Sequence, residues 1–252
     1  MNSAFLTLTG CAALVAFVPQ GLAQAQAFAV ATIRPSAAAV EFERDGKTEF
    51  LRDTLQMRDV TVNTCIKVAY RVQDSQVSGP DWIGSDRFDI VAKPDGPADE
   101  AHMRLMLQAL LAERFHLSFH REPRELKAMV LTVAPSGAKV SKAKAPDAPP
   151  FRENSATGTV ARSMSMQEFA DFLAGPLRMP LVDETGLTGK YDFAIDFTPY
   201  LPETQRGADG SRPDATIILK AALHDELGLN IEARKTQVQV MVIDHVERPS
   251  EN

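Results

Sequence analysis

FHLSFHREPRELKAMVLTV at residues 115–133 and LGLNIEARKTQVQVMVIDH at residues 227–245 align without a gap at an offset of 112. Phe115, Leu117, Phe119, Leu126, Ala128, Met129, Val130 and Leu131 meet Leu227, Leu229, Ile231, Val238, Val240, Met241, Val242 and Ile243, so apolar meets apolar at each position. Within each string apolar and polar residues alternate, the period of a half-buried antiparallel strand. The spacing predicts strands over 116–121 and 127–133, and again over 229–234 and 237–246.

The correspondence extends upstream. Ala109-Leu110-Leu111 meets Ala221-Ala222-Leu223 at the same offset. Arg87-Phe88-Asp89 meets Lys190-Tyr191-Asp192 at 103, and Val60-Thr61-Val62-Asn63 meets Met164-Ser165-Met166-Gln167 at 104. Order persists while the offset changes only where loops absorb insertions, which is the signature of a diverged repeat. Each unit reads helix, strand, helix, strand, strand, over about 60–134 and 164–246. The first helix spans about Val62–Tyr70 with Thr61 as N-cap, and its counterpart opens on the capping box Ser165-Met166-Gln167-Glu168. The next strands are RFDIVAK (87–93) and KYDFAIDF (190–197). A second helix follows Asp99, with Met103, Met106, Leu107, Leu110 and Leu111 on one face. Its counterpart follows Pro213-Asp214 and ends at Gly228.

The expected fold is therefore α+β: two diverged repeats of a small helix-strand-helix-strand-strand unit with mainly antiparallel sheets. The first unit occupies 28–135 and includes an N-terminal strand, FAVATIRP, and two short strands at Lys47–Leu51 and Gln56–Val60. Residues 136–159, rich in Ser, Ala, Pro and Lys, read as a linker, and 160–248 as the second unit. The polar stretch 199–214 interrupts the second unit.

No charge precedes Arg34. Residues 4–18 form an apolar run followed by two A-x-A patterns, at Ala23-Gln24-Ala25 and Ala25-Gln26-Ala27. This is the grammar of a secretory signal over 1–25, cleaved near Ala25 or Ala27. The run falls short of the roughly 20 residues of a membrane span, so no span is expected after cleavage. Leu8-Thr9-Gly10-Cys11 also reads as a lipobox, ranked behind simple cleavage because the apolar Ala12–Val18 follows the cysteine. The expected location is extracytoplasmic, in the periplasm or secreted. Cleavage leaves Cys65 alone, hence no internal disulfide. Cys65 lies at helical spacing with Val62, Ile66 and Ala69, the setting of a small buried hydrophobe. The chain of 252 residues carries 24% charged residues and a net charge of −6, which argues against nucleic acid as a partner.

Five strings carry a resemblance: ATIRPS (31–36), SGPDWIGSDRFDIVAK (78–93), LMLQALLAERFHLSFHRE (105–122), VDETGLTGKYDF (182–193) and VIDHVERPSEN (242–252). The chain resembles the soil-bacterial family called domain of unknown function 3738, or the acidobacterial soil-associated protein family. The resemblance implies an exported protein with no assigned reaction. Similar domains fused to membrane metallopeptidases of the antibiotic-sensor type imply a sensing or binding role outside the cytoplasm. The segment before Val60 departs from the family in lacking a glycine-rich turn.

No catalytic residue can be assigned and no cofactor is implied. His116, His120 and Glu122 share one face of the predicted strand and are the lesser candidates for a metal. Their spacing spreads them by about 6–7 Å per step, more than one tetrahedral ion spans. Asp244, His245 and Glu247 form a second polar cluster, with no G-x-S-x-G elbow to supply a nucleophile. Gly186-Leu187-Thr188-Gly189 precedes a strand and lacks phosphate-loop spacing, so it reads as a turn. Asp89 and Asp192 recur at equivalent positions, where an aspartate most economically satisfies backbone N–H groups. Trp82 either covers the core or anchors a ligand. The candidate contacts are Trp82, His120, Glu122, Tyr191, Asp244 and His245, in a groove between the units. The expected role is a non-enzymatic binding or sensing module of the cell envelope, its partner an envelope protein, a peptide or a glycan. An extracytoplasmic hydrolase, with or without a metal, and a structural envelope protein are the alternatives.

Overall fold

A computed structural model describes residues 27–37, 45–155, 157–201 and 215–249. The predicted signal (1–25) and most of the polar stretch 199–214 lie outside the described residues. In chain order the N-terminal half holds β1 (Val30–Pro35), β2 (Lys47–Phe50), β3 (Leu55–Thr61), α1 (Val62–Tyr70), β4 (Val77–Ser78), β5 (Arg87–Lys93), α2 (Glu100–Arg114) and β6 (Ser118–Val133). The C-terminal half holds β7 (Ser141–Lys142), β8 (Phe151–Asn154), β9 (Gly158–Met164), α3 (Met166–Leu177), β10 (Leu181–Asp183), β11 (Tyr191–Asp196), α4 (Ala215–Ala222) and β12 (Leu229–His245). A π turn, Leu223–Leu227, extends α4 and closes on Gly228, whose φ is +62°. The fold class is α+β with mainly antiparallel sheets, as the patterning predicts.

Caps decide where the helices start. Thr61 Oγ1 accepts the N–H of Thr64 at 3.1 Å, and Asp99 caps α2 through the N–H of His102 at 2.8 Å. Ser165 and Glu168 form the reciprocal capping box of α3. Each cap satisfies backbone donors that the first turn leaves free.

Two outer sheets are wholly antiparallel. The first runs β1-β5-β3-β2 and the second β7-β11-β9-β8. In each, the strand leading into a helix (β3 or β9) pairs with the second strand after that helix (β5 or β11). Residues 141–142 and 151–154, inside the stretch read as a linker, are strands of the second outer sheet. Lys144 and Ala145 are tied down as well, through hydrogen bonds to Asp192 and Ser163. That segment is part of the C-terminal half.

The central sheet departs from expectation. The predicted strand pairs 116–121 with 127–133, and 229–234 with 237–246, are single strands of 16 and 17 residues. They pair with each other, antiparallel, from Leu229↔Val133 to His245↔Ser118. Pro123 looks like a breaker, but β10 covers only Met129–Leu131 of β6. At Pro123 the strand is an open edge, where a missing N–H is tolerated. The halves also exchange their short strands: β4 lies parallel on β12, and β10 lies parallel on β6.

Two cores result, each completed by the other half. The first gathers Met57, Ile66, Ile90, Leu107, Leu111 and Phe115 and takes Met241 from β12. The second gathers Phe169, Leu173, Phe193, Leu223 and Leu229 and takes Met129 and Leu131 from β6. Edge-on aromatic pairs sit in both: Phe88 on Phe115 at 5.6 Å, and Phe169 on Phe193 at 4.7 Å.

Candidate functional site

The residues singled out from sequence fall into separate places. His120 Nδ1 lies 2.7 Å from Asp244 Oδ1, while its Nε2 is 3.8 Å from Glu122, which is itself paired with Arg124. His245 Nε2 is 2.9 Å from Glu247, whose other oxygen lies 3.8 Å from His116 Nδ1. Asp244 therefore serves His120 on the neighbouring strand and not the adjacent His245. His120 lies between Asp244 and Glu122, and His245 and His116 share Glu247, all in solvent-exposed surroundings. Among the described residues no three His, Cys, Asp or Glu side chains gather to hold a metal ion.

Tyr191 is buried at 6% exposure, and its hydroxyl donates to the carbonyl of Thr188 at 2.9 Å. It faces the second core and offers a ligand nothing. Trp82 is half-buried against the first core. The guanidinium of Arg248 lies 4.8 Å from its ring centroid, held by Asp86 at 2.7 Å. The tail thus covers the indole.

The recurring aspartates serve the backbone. Asp89 Oδ1 accepts the N–H of Asp59 at 2.8 Å, and Asp192 Oδ1 accepts that of Ser163 at 2.9 Å. Asp59 and Ser163 both have positive φ, 52° and 51°. Each sits at a register shift that turns its N–H out of the ladder. These backbone bonds hold the Asp192 carboxyl below the usual carboxylate range, that of Ser163 most strongly. Cys65 is fully buried, and burial pushes its thiol up to about 12.

A cleft does lie between the halves, lined by residues absent from the sequence-based set. Three cavities of about 280, 390 and 380 Å³ share Arg71, the residue that ends α1 in the left-handed conformation at φ +54°. The first also touches Arg152 and Phe172. The second extends past Tyr70 and Leu105, and the third reaches Arg121 and Gln239. α1 and α2 form one wall; β8 and α3 form the other.

Most charges of the cleft are engaged. Arg104 donates from Nε and Nη2 to Glu100 at 3.0 and 2.7 Å, and its Nη1 donates to the carbonyl of Val68. Gln108 Nε2 donates to the carbonyl of Ala69 at 2.9 Å. Both thereby satisfy carbonyls at the end of α1. Lys67 pairs with Asp45 and Asp74 at 2.6 and 3.0 Å. Glu168 is held in its capping box, and Gln167 donates to Asp171 at 2.8 Å. Burial raises the Asp171 carboxyl above its ordinary range, opposed by Gln167 and the charge of Arg71.

Arg152 stands apart. Its guanidinium lies 3.7 Å from the centroid of Phe172. Its Nε is shut off from solvent and has no hydrogen-bond partner among the described residues. Burial lowers its pKa from the usual arginine value. A partly desolvated cation with open donors is a good receptor for an oxyanion.

These residues lie at 71, 104, 152 and 171–172 and form no local motif. The one sequence signal is the polar stripe Glu100, Arg104, Gln108 along α2, at i, i+4, i+8 spacing.

Residues 63–246 match the model of a family described as protein of unknown function, DUF3738. No curated protein and no solved structure matches the chain. The matched span runs from α1 to the tail after β12, includes both walls of the cleft, and covers well over half of the sequence: the chain belongs to the DUF3738 family of proteins of unknown function.

Proposed function

We propose that this protein is an exported, non-enzymatic module of the bacterial cell envelope that binds a small ligand in the cleft between its halves. The observation that carries the reading is the set of cavities around Arg71, with walls drawn from both halves. Each is near the lower end of the volumes typical of small-molecule sites, about 300–1,000 Å³. Export rests on the apolar run and A-x-A patterns before residue 28. Among the described residues no helix is long and apolar enough to cross a membrane.

In this reading the halves are two copies of one unit. The shared outer-sheet plan supports that, as do the matched N–H bonds of Asp89 and Asp192. So does the central register. Glu125 faces Gln237, and these two residues are 112 apart, the offset of the two strings. Equivalent positions of two copies meet in this way on a two-fold axis. Duplication then explains the cleft, since two copies packed about such an axis leave a seam.

The test is thermal unfolding of the purified chain with cell-wall muropeptides, soluble glycans and short peptides. A ligand at 100 times its Kd stabilises by roughly 2.7 kcal/mol, about 5–10 °C for a chain of this size. We expect at least one class to raise the midpoint, with the effect lost in Leu105→Trp, which narrows the second and largest of the three cavities, and kept in Trp82→Ala. A shift that survives Leu105→Trp, or a flat response to every class, overturns the proposal.

A further inference from the structure

We propose that Arg152 and Arg71 form an oxyanion site within this cleft, so that its ligand is a small molecule bearing a carboxylate or phosphate group. The inference rests on the cleft being the binding site and adds the chemical class of what enters it.

The cleft carries unmatched positive charge. The chain carries a net −6, yet Lys67, Arg71, Arg104, Arg121 and Arg152 outnumber Glu100, Glu168 and Asp171 around the cavities. Lys67 and Arg104 are bound to acidic partners, and Glu168 and Asp171 are held by hydrogen bonds on their own helix. The guanidinium groups of Arg71 and Arg152 make no hydrogen bond or close ion pair with any described residue, feeling only the more distant acidic charges of Asp171 and Glu100, and both line the first two cavities. A guanidinium presents five donors in a rigid fork suited to two oxygens of one anion. Contact with Phe172 holds the Arg152 guanidinium on the cavity wall, with Nε shut off from solvent and no hydrogen-bond partner for the fork among the described residues. Arg104 lines the same two cavities with its charge paired to Glu100. The neighbouring Phe172, Tyr70 and Leu105 offer apolar surface to the rest of the ligand.

Such a group can come from a free anion or from a lipid headgroup. Isothermal titration of the full chain at constant ionic strength, with inorganic phosphate and with succinate, tests the first source. Sedimentation with phosphatidylglycerol vesicles, against phosphatidylcholine vesicles, tests the second. We expect saturable binding of phosphate or succinate, weakened about tenfold or more in Arg152→Gln and in Arg71→Gln. Arg58→Gln, an exposed arginine on β3 bonded to Gln56, should bind as the native chain does. Arg152→Lys keeps a charge over Phe172 but not the fork, and secures the comparison if Arg152→Gln unfolds. Vesicle binding that depends on Arg152 supports the same site with a headgroup as its source. No saturable binding of any probe, or binding that Arg152→Gln and Arg152→Lys leave intact, overturns the inference. If anions fail while a neutral ligand still gives a shift that Leu105→Trp abolishes, the cleft stands and only the oxyanion assignment falls.

Discussion

Gly228 offers a sharp test of how the C-terminal half is closed. Its φ of +62° is left-handed, and it ends the π turn that follows α4. A Cβ built there lies 2.0 Å from the carbonyl oxygen of Gly137, 3.0 Å from its carbon and 3.3 Å from Ala138 Cα. All three are backbone atoms, so no side chain can swing aside. The same turn is tied by Ala134 N–H to the Gly228 carbonyl at 2.8 Å and by Lys139 N–H to the Leu227 carbonyl at 2.7 Å. Gly228→Ala therefore carries a conformational cost of about 1 kcal/mol. To relieve the clash, residues 137–139 must move and loosen two hydrogen bonds, each worth about 1 kcal/mol. The sum is about 3 kcal/mol, a fall of roughly 6–12 °C in midpoint for a chain of this size. Gly186 is the control: its φ is +67°, but a Cβ there meets nothing within 4 Å. Gly186→Ala should lose only the conformational part, about 1 kcal/mol. Thermal and urea unfolding followed by circular dichroism measure both. Equal losses for the two variants would refute the reasoning, because the close approach to Gly137 would then not exist.

Further outcomes follow from the same geometry. Ser165→Ala removes the Oγ that accepts the Glu168 N–H in the α3 capping box, leaving the backbone N–H of residue 165 bonded to Glu168, and should lower stability by about 1 kcal/mol in urea unfolding. Because the folded Asp192 carboxyl titrates below its unfolded value, its stabilisation is present above about pH 4 and is lost as pH falls through the folded value. Asp192→Ala should thus lower the midpoint at pH 7 and flatten the acid side of a midpoint-against-pH curve; an unchanged acid side would contradict the backbone bonds to Ser163 and Lys144. In a Cys11→Ser background, Cys65 should resist a thiol reagent while folded and react fully in urea, and rapid labelling of the folded chain would show that α1 is not packed as described.

The local elements were legible because their signals are local. Thr61, Asp99 and Ser165 are caps at fixed offsets from their helices, and Gly228 closes α4. The long strands were not. Alternation continues through Glu122, Arg124 and Leu126, but Pro123 reads as an interruption unless the edge is known to be open there. Pairing of β6 with β12 is a long-range choice, and period-two patterning is silent on which strand lies alongside. The candidate site was less legible still. Histidines and a tryptophan draw attention as residue types, yet His120 and His245 end in surface pairs and Trp82 under Arg248. Arg152 sat in a stretch whose composition suggests a linker, and only the pairing of β8 with β9 brings it to Phe172.

The oxyanion cleft is tested most directly by following the arginine Nε–Hε resonances of the folded chain while phosphate and succinate are titrated at fixed ionic strength. The account predicts saturable shifts confined to Arg152 and Arg71, with Arg104 moving least of the three because Glu100 and Val68 hold it. Shifts spread evenly over the surface arginines, or none at Arg152, would contradict it.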